Sequence, residues 1–538
     1  MLNTKGRGNL GLFAVRTLIM IFHIFLVMLV FGVGNSSVSN FSSLEEQLFQ
    51  YIEEHENEFV QTLGEWVAVQ SDSIQPHLRP EITRMITKAA EKLKAIGAKV
   101  KLANTTIQQV PDDDQNIKLP SIILAKLGED PLKPTVCFYG HVDVMPAKKK
   151  DGWKTDPYTL TDIGGTYTTI AFDTVILTGN LYGRGATDNK GPVLAWIHAV
   201  NTFKEVKIDL PVNIKFLIEG MEEAGSIGLE EVIKKEKEQF FSDVDYIVIS
   251  DNTWLTTKKP ALTYGTRGNA CFSVEVQGGE KDLHSGSVGG IVQEPMSDLI
   301  ALLDSLVDSS GHILIPGIYD DVANLTEQEK KLYEPIEFNL EEYKVNIGIN
   351  KFLYDTKEEI LLHLWRFPSL SIHGIEGAFH ESGIKTVIPS RVIGKISIRQ
   401  VPHMNLSTVE RQVKQHLKDV FSKRNSPNKL TVSMQIGILP WITDFNDPQF
   451  KAAEKAIQRV FKKNPDMIRD GSTIPTAQIF QNITKKSVMM FPIGAADDGE
   501  HSQKEKISRN NYINGTKVFA SFLLEIAKLH KELHEASS

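Results

Sequence analysis

Val136-Cys137-Phe138-Tyr139-Gly140-His141-Val142-Asp143 decides how this chain is read: an apolar run of strand length ends in an imidazole and a carboxylate. The arrangement recurs. Glu222-Glu223 follow Phe216-Leu217-Ile218-Glu219-Gly220, and Asp251 follows Tyr246-Ile247-Val248-Ile249-Ser250. Between these runs lie helical patterns near Pro192 to Phe203 and Ser226 to Phe240, so β and α segments alternate. That alternation predicts an α/β sheet with helices on both faces, a class that places ligands at the carboxyl ends of its strands.

Upstream, Ser43-Leu44-Glu45-Glu46 is a capping box opening a helix with Leu48, Ile52, Phe59, Leu63 and Val67 on one face. A second amphipathic helix carries Ile82, Met85, Ile86, Ala89 and Leu93 and ends at Gly97. Downstream the order changes after Thr263-Tyr264-Gly265-Thr266-Arg267-Gly268. Strands at Cys271 to Val276, Val392 to Arg399 and Leu430 to Gln435, with a helix at Pro295 to Val307, predict a separate α+β unit. From Trp441 the α/β character returns, with helices at Phe450 to Phe461 and Thr516 to His530. The expected organisation is therefore a catalytic domain in two parts, 35–263 and 441–538, interrupted by an inserted domain over 264–440.

The 538 residues carry 59 Lys plus Arg against 67 Asp plus Glu, a net charge of −8 that argues against nucleic acid as a partner. With only two cysteines, Cys137 and Cys271, neither a disulfide framework nor a thiolate zinc site organises the fold; a single bridge between them is the one possibility. Lys5, Arg7 and Arg16 precede the uncharged stretch Thr17 to Val33, and small residues stand at Gly32 and Gly34. Residues 1–34 therefore read as a secretory signal peptide, with an uncleaved anchor as the alternative. Secretion with no stable membrane anchor is the expectation, and sequons at Asn35, Asn40, Asn104, Asn324, Asn405, Asn482 and Asn514 accord with it.

Two further stretches add chemistry. Tyr182-Gly183-Arg184-Gly185-Ala186-Thr187-Asp188-Asn189-Lys190-Gly191 sets an acid in a Gly-rich loop before a helix, and Asp497-Asp498-Gly499-Glu500-His501-Ser502 adds a second imidazole. Each motif alone has an ordinary reading: a His-x-Asp hydrogen bond, a Glu-Glu pair favouring a helix dipole, an N-capping Asp188. Together, imidazoles and carboxylates without thiolates suit Zn²⁺ or Mn²⁺ in a hydrolytic site.

In order, Gly140-His141-Val142-Asp143-Val144, Gly183 to Gly191, Glu219 to Ser226 and Asp498-Gly499-Glu500-His501-Ser502 resemble the dinuclear-metal dipeptidases of the aminoacylase and carboxypeptidase-G kind, the carnosine dipeptidases among them. The resemblance runs from about Phe49 to His530. It implies two divalent ions per chain, probed first as zinc with manganese as the alternative, bridged by Asp188, with His141 and Asp251 on one ion and Glu223 and His501 on the other. It makes Glu222 the general base and Asp143 the acid that orients His141. It implies that the inserted domain is a lid and dimerisation domain, and that His284 reaches a partner subunit's active site in a homodimer. Arg399 would grip the substrate carboxylate, and Thr473 would contact substrate through its hydroxyl. The implied activity is hydrolysis of Xaa-His dipeptides such as carnosine and homocarnosine. The alternatives are a broad-specificity dipeptidase or a catalytically silent binding protein. Two departures stand out: Lys504 replaces an asparagine, and Gly164 to Gly179 is an insertion whose Thr/Ile/Val content predicts a β hairpin.

Overall fold

A computed structural model describes residues 43–106, 117–170 and 174–537. The signal segment and the sequons at Asn35 and Asn40 lie outside the described residues. A nine-stranded mixed sheet runs in the order Lys99–Ala103, Ile122–Leu127, Asn213–Glu219, Thr135–His141, Tyr246–Ile249, Ser487–Met490, Ala261–Thr266 and Trp441–Ile442, with Asp466–Asp470 also on Ala261–Thr266. Its four central members, from Asn213–Glu219 to Ser487–Met490, are mutually parallel. Parallel strands covered on both faces should be apolar throughout, and Thr135–His141 and Asn213–Glu219 are buried along their entire length.

Helices cover both faces. On one side Lys190–Glu205 lies between the sheet and Arg509–Ser537, with Trp196 stacked on Phe519 at 4.2 Å between ring centres and tilted against Phe138 at 5.2 Å. On the other, Leu229–Glu236 and Pro475–Thr484 bring Val232, Ile233, Ala477 and Phe480 against the sheet residues Tyr139, Leu217 and Ile247. The amino-terminal helix pattern forms as two pieces, residues 43–54 and Glu56–Val67, with a turn at His55.

Residues beyond Thr266 form a separate four-stranded antiparallel sheet, ordered Ser369–Glu376, Arg391–Arg399, Asn269–Gln277 and Lys429–Ile438. Helices Pro295–Asp304 and Leu406–Lys423 cover one face of it, burying Leu299, Leu302, Val409, Val413 and Leu417 against Val274, Ile396 and Ile398. Three short helices, Glu327–Tyr333, Leu340–Ile347 and Lys357–Trp365, lead into its edge strand. The insertion is a hairpin: Thr161–Ile170 pairs antiparallel with Thr174–Tyr182, which in turn pairs with Lys506–Ser508. Cys137 and Cys271 are both free thiols on different sheets, so the possible bridge is absent. Among the described residues no helix is long and apolar enough to cross a membrane.

Candidate metal centre

The parallel strands deliver their polar residues to one edge of the sheet. His141 is the last residue of Thr135–His141, Glu222 and Glu223 lie three and four residues past Asn213–Glu219, and Asp251 lies two past Tyr246–Ile249. Asp188 comes from the loop preceding helix Lys190–Glu205, and His501 from the segment after Ser487–Met490. Two triads result, His141 with Glu222 and Asp251, and Asp188 with Glu223 and His501; within each, the potential ligand atoms lie within 4.8 Å of one another.

Asp188 joins the two. Its Oδ1 lies 3.1 Å from His141 Nε2 and its Oδ2 lies 3.0 Å from His501 Nε2. His141 Nε2 is also 3.0 Å from Asp251 Oδ1, and His501 Nε2 is 3.0 Å from Glu223 Oε2. Each imidazole therefore turns the same nitrogen toward two carboxylates, the arrangement of ligands converging on a shared cation. Behind them, buried Asp143 accepts the backbone N–H of Glu222 at 3.1 Å on Oδ1 and that of Glu223 at 3.0 Å on Oδ2. Its Oδ1 also lies 3.3 Å from His141 Nδ1, while Ser73 donates its hydroxyl to Oδ2 at 2.6 Å. One carboxylate thus sets both the imidazole and the turn bearing the paired acids.

Four carboxylates and two imidazoles crowd this site, an excess of negative charge that cations would offset. Burial pushes Glu222 well above the usual carboxylate range and Glu223 up to about 7, Asp188 adding to the effect on Glu223. His501, hydrogen-bonded to Asp188 and Glu223, is pushed up to about 11, and Asp251 and its neighbouring acids hold His141 high although burial opposes it. Both shifts have the same cause, carboxylates crowded around each imidazole, and that donor set of nitrogens and oxygens fits a pair of divalent ions.

The loop carrying Asp188 is built around a residue that the motif reading passed over. Glu505 Oε1 accepts the N–H groups of Gly185 at 2.9 Å, Thr187 at 3.3 Å and Asp188 at 3.2 Å, while Oε2 takes Arg184 at 2.7 Å. Gly185 turns with φ +85°, and a Cβ on Gly191 would meet Ala186 O at 2.1 Å, so both glycines are required for the loop to close. Nothing local in the sequence distinguishes Glu505 from a surface acid; its partners lie more than 300 positions away.

Arg399 and Thr473 also meet, with Arg399 donating to Thr473 Oγ1 at 2.5 Å. This pair connects to the triads through Asn252, the neighbour of Asp251, which donates to Asp470 at 3.3 Å at the start of the 471–473 loop. His284 stands apart: exposed, its Nδ1 accepts the Gly286 N–H at 3.0 Å. Lys504 is exposed and places its N–H on Ser502 Oγ at 3.1 Å.

A family model described as peptidase family M20/M25/M40 matches residues 137–525. The chain is 63% identical to a Beta-Ala-His dipeptidase of Rattus norvegicus over 487 residues, covering 90% of this chain and 96% of the relative. It is 43% identical to a Cys-Gly metallodipeptidase of Schizosaccharomyces pombe, covering 90% and 98%. The crystal structure of human carnosine dipeptidase 1 aligns with a TM-score of 0.80 at 60% identity, covering 90% of this chain and 99% of that one.

Proposed function

Because the chain belongs to peptidase family M20/M25/M40 and is a metallopeptidase of its dipeptidase branch, we infer that it hydrolyses β-Ala-His and related Xaa-His dipeptides. The single observation that carries the chemistry is Asp188 between two imidazoles, His141 also facing Asp251 and His501 also facing Glu223. His141 and Asp251 would hold one divalent ion, Glu223 and His501 the other, with Asp188 shared; zinc suits this nitrogen and oxygen set, and manganese is the alternative. When bound, such a pair polarises the scissile carbonyl and acidifies water.

The chain's own groups do the rest. Glu222, half-buried beside His141 and Asp251, takes the proton from the attacking water and returns it to the leaving amine. Asp143 holds the Glu222-Glu223 turn and His141 in register while this happens. Arg399, on the last residue of its strand, receives the α-carboxylate of the substrate, with the Thr473 hydroxyl beside it. That contact measures substrate length, since a longer peptide would carry its carboxylate past Arg399. A homodimer, with His284 serving the partner's site, is supported by exposed Ile291, Ile384 and Val387 around the short strand Leu283–His284. Secretion rests on the apolar segment Thr17 to Val33.

Purified protein should hydrolyse β-Ala-His, hold two divalent ions per chain and lose activity to a chelator. Metal-replete protein that leaves β-Ala-His intact while cleaving Cys-Gly would favour the other dipeptidase specificity found among its relatives. Inertness toward every dipeptide would overturn the reading.

A further inference from the structure

A second arginine lies beside the first. Arg267 occupies the crossing between the two sheets, directly after Ala261–Thr266 and two residues before Asn269–Gln277. Its Nε donates to Gly471 O at 2.9 Å, one NH1 hydrogen goes to Ser369 Oγ at 3.0 Å, and its backbone N–H reaches Ser472 O at 3.1 Å. Ser369 is the cross-strand partner of Arg399, and Arg399 donates to Thr473. The two side chains thus converge on the same short loop, 471–473.

Among the described residues neither guanidinium has a carboxylate within ion-pair distance. Asp470, the nearest acid acting on Arg267, is engaged by the Ser472 N–H at 2.8 Å and by Asn252 at 3.3 Å. Burial and the neighbouring Arg399 push Arg267 down to about 10. A brace between Ser369 and Gly471 needs only neutral donors. Two cations placed side by side without a counter-ion repel, and an arriving anion reverses that penalty. Both arginines are half-buried and, among the described residues, retain N–H donors with no protein acceptor, in a fork geometry that fits a carboxylate.

We propose that Arg267 is a second specificity-determining cation, sharing with Arg399 the free α-carboxylate of the dipeptide. This rests on the dipeptidase reading and deepens it: the acid requirement is set by a pair of arginines that meet the 471–473 loop.

The test compares kcat/KM for β-Ala-His and for its C-terminal amide on the metal-replete full chain, Arg267→Met, Arg267→Lys and Arg399→Met, with metal content measured in each. Arg267→Met should lower the acid-to-amide ratio about tenfold, mostly through KM for the acid, with both metals retained. Arg267→Lys, which keeps the charge, should recover part of the ratio. Equal losses on acid and amide in both Arg267 variants would make Arg267 a brace alone and overturn the proposal. Should the methionine variant fail to fold, Arg267→Gln, which can still donate to Gly471 O, gives the same comparison. An unmutated enzyme that ignores the amide substitution, or an Arg399→Met variant with an unchanged ratio, would overturn the underlying carboxylate reading; an unchanged ratio in Arg267→Met alone overturns only the second arginine.

Discussion

Replacing Asp143 with asparagine should weaken metal binding without abolishing chemistry. The buried carboxylate accepts from Glu222 N, Glu223 N and Ser73 Oγ and faces His141 Nδ1, so both oxygens act as acceptors. An asparagine supplies one oxygen and one NH₂. If the NH₂ takes the Oδ2 side, Ser73 can rotate to accept from it, but the Glu223 N–H then faces another donor. One unsatisfied buried N–H costs about 1–3 kcal/mol of stability. Loss of the negative charge behind His141 also makes its imidazole a poorer ligand, and removing such a partner lowers metal affinity by about 10–100-fold, equivalent to about 1.4–2.7 kcal/mol. Titrating the metal-free protein against a competing chelator gives the affinity, and thermal unfolding of the same preparation gives the stability. Ser73→Ala, which removes one donor and leaves the carboxylate intact, should affect affinity far less. At saturating metal, Asp143→Asn should regain most of its kcat. Unchanged metal affinity in Asp143→Asn would refute the orienting role, and a kcat that stays low with both ions bound would place Asp143 in the chemistry itself.

The adjacent acids should fail differently: Glu223→Gln should lose metal and activity together, whereas Glu222→Gln should keep both ions and lose on the order of 10²-fold or more in kcat, a split that metal analysis beside kinetics reads directly. Excising Gly165 to Thr178 should leave a folded, metal-loaded enzyme, because the root pairs Thr161 with Tyr182 and Ile163 with Asn180 lie outside the cut; a gain of orders of magnitude in activity would show the hairpin to be inhibitory. His198 is buried, stacked on Phe59 at 3.9 Å, and its Nε2 has no hydrogen-bond partner among the described residues. Burial holds it well below its ordinary 6.5, so its contribution to stability is present above that pH and is lost on acidification as the unfolded chain takes up the proton first. Its loss can reach about 1.4 kcal/mol per pH unit, and His198→Phe should flatten the fall of melting temperature between pH 7 and 5 relative to the unmutated protein.

The α/β class and the motif positions were legible along the chain because their causes are local. Val136 to Tyr139 is a short apolar run between turn-like flanks, the pattern of a covered strand, and a polar residue directly after such a strand emerges at the sheet's carboxyl edge. The helix Leu406–Lys423, absent from the strand-centred reading of the inserted unit, was legible in the same way: Asn405 caps it through the N–H groups of Ser407 and Thr408, and Val409, Val413 and Leu417 recur at four-residue spacing. Strand order was not legible, since hydrophobic pattern does not say that Asn213–Glu219 enters between Ile122–Leu127 and Thr135–His141. Nor were the partners that carry no motif. Glu505, Ser73 and Arg267 look like ordinary polar residues in the sequence, and each acquires its role only when folding brings it to the Asp188 loop, to Asp143 or to the 471–473 loop. The chain's local pattern marked the acids and imidazoles at strand ends, and the family resemblance proposed which of them, with Arg399 and Thr473, serve metal and substrate; only the tertiary structure decided what holds them there, because a buried hydrogen bond depends on proximity in space and leaves no period or spacing along the chain.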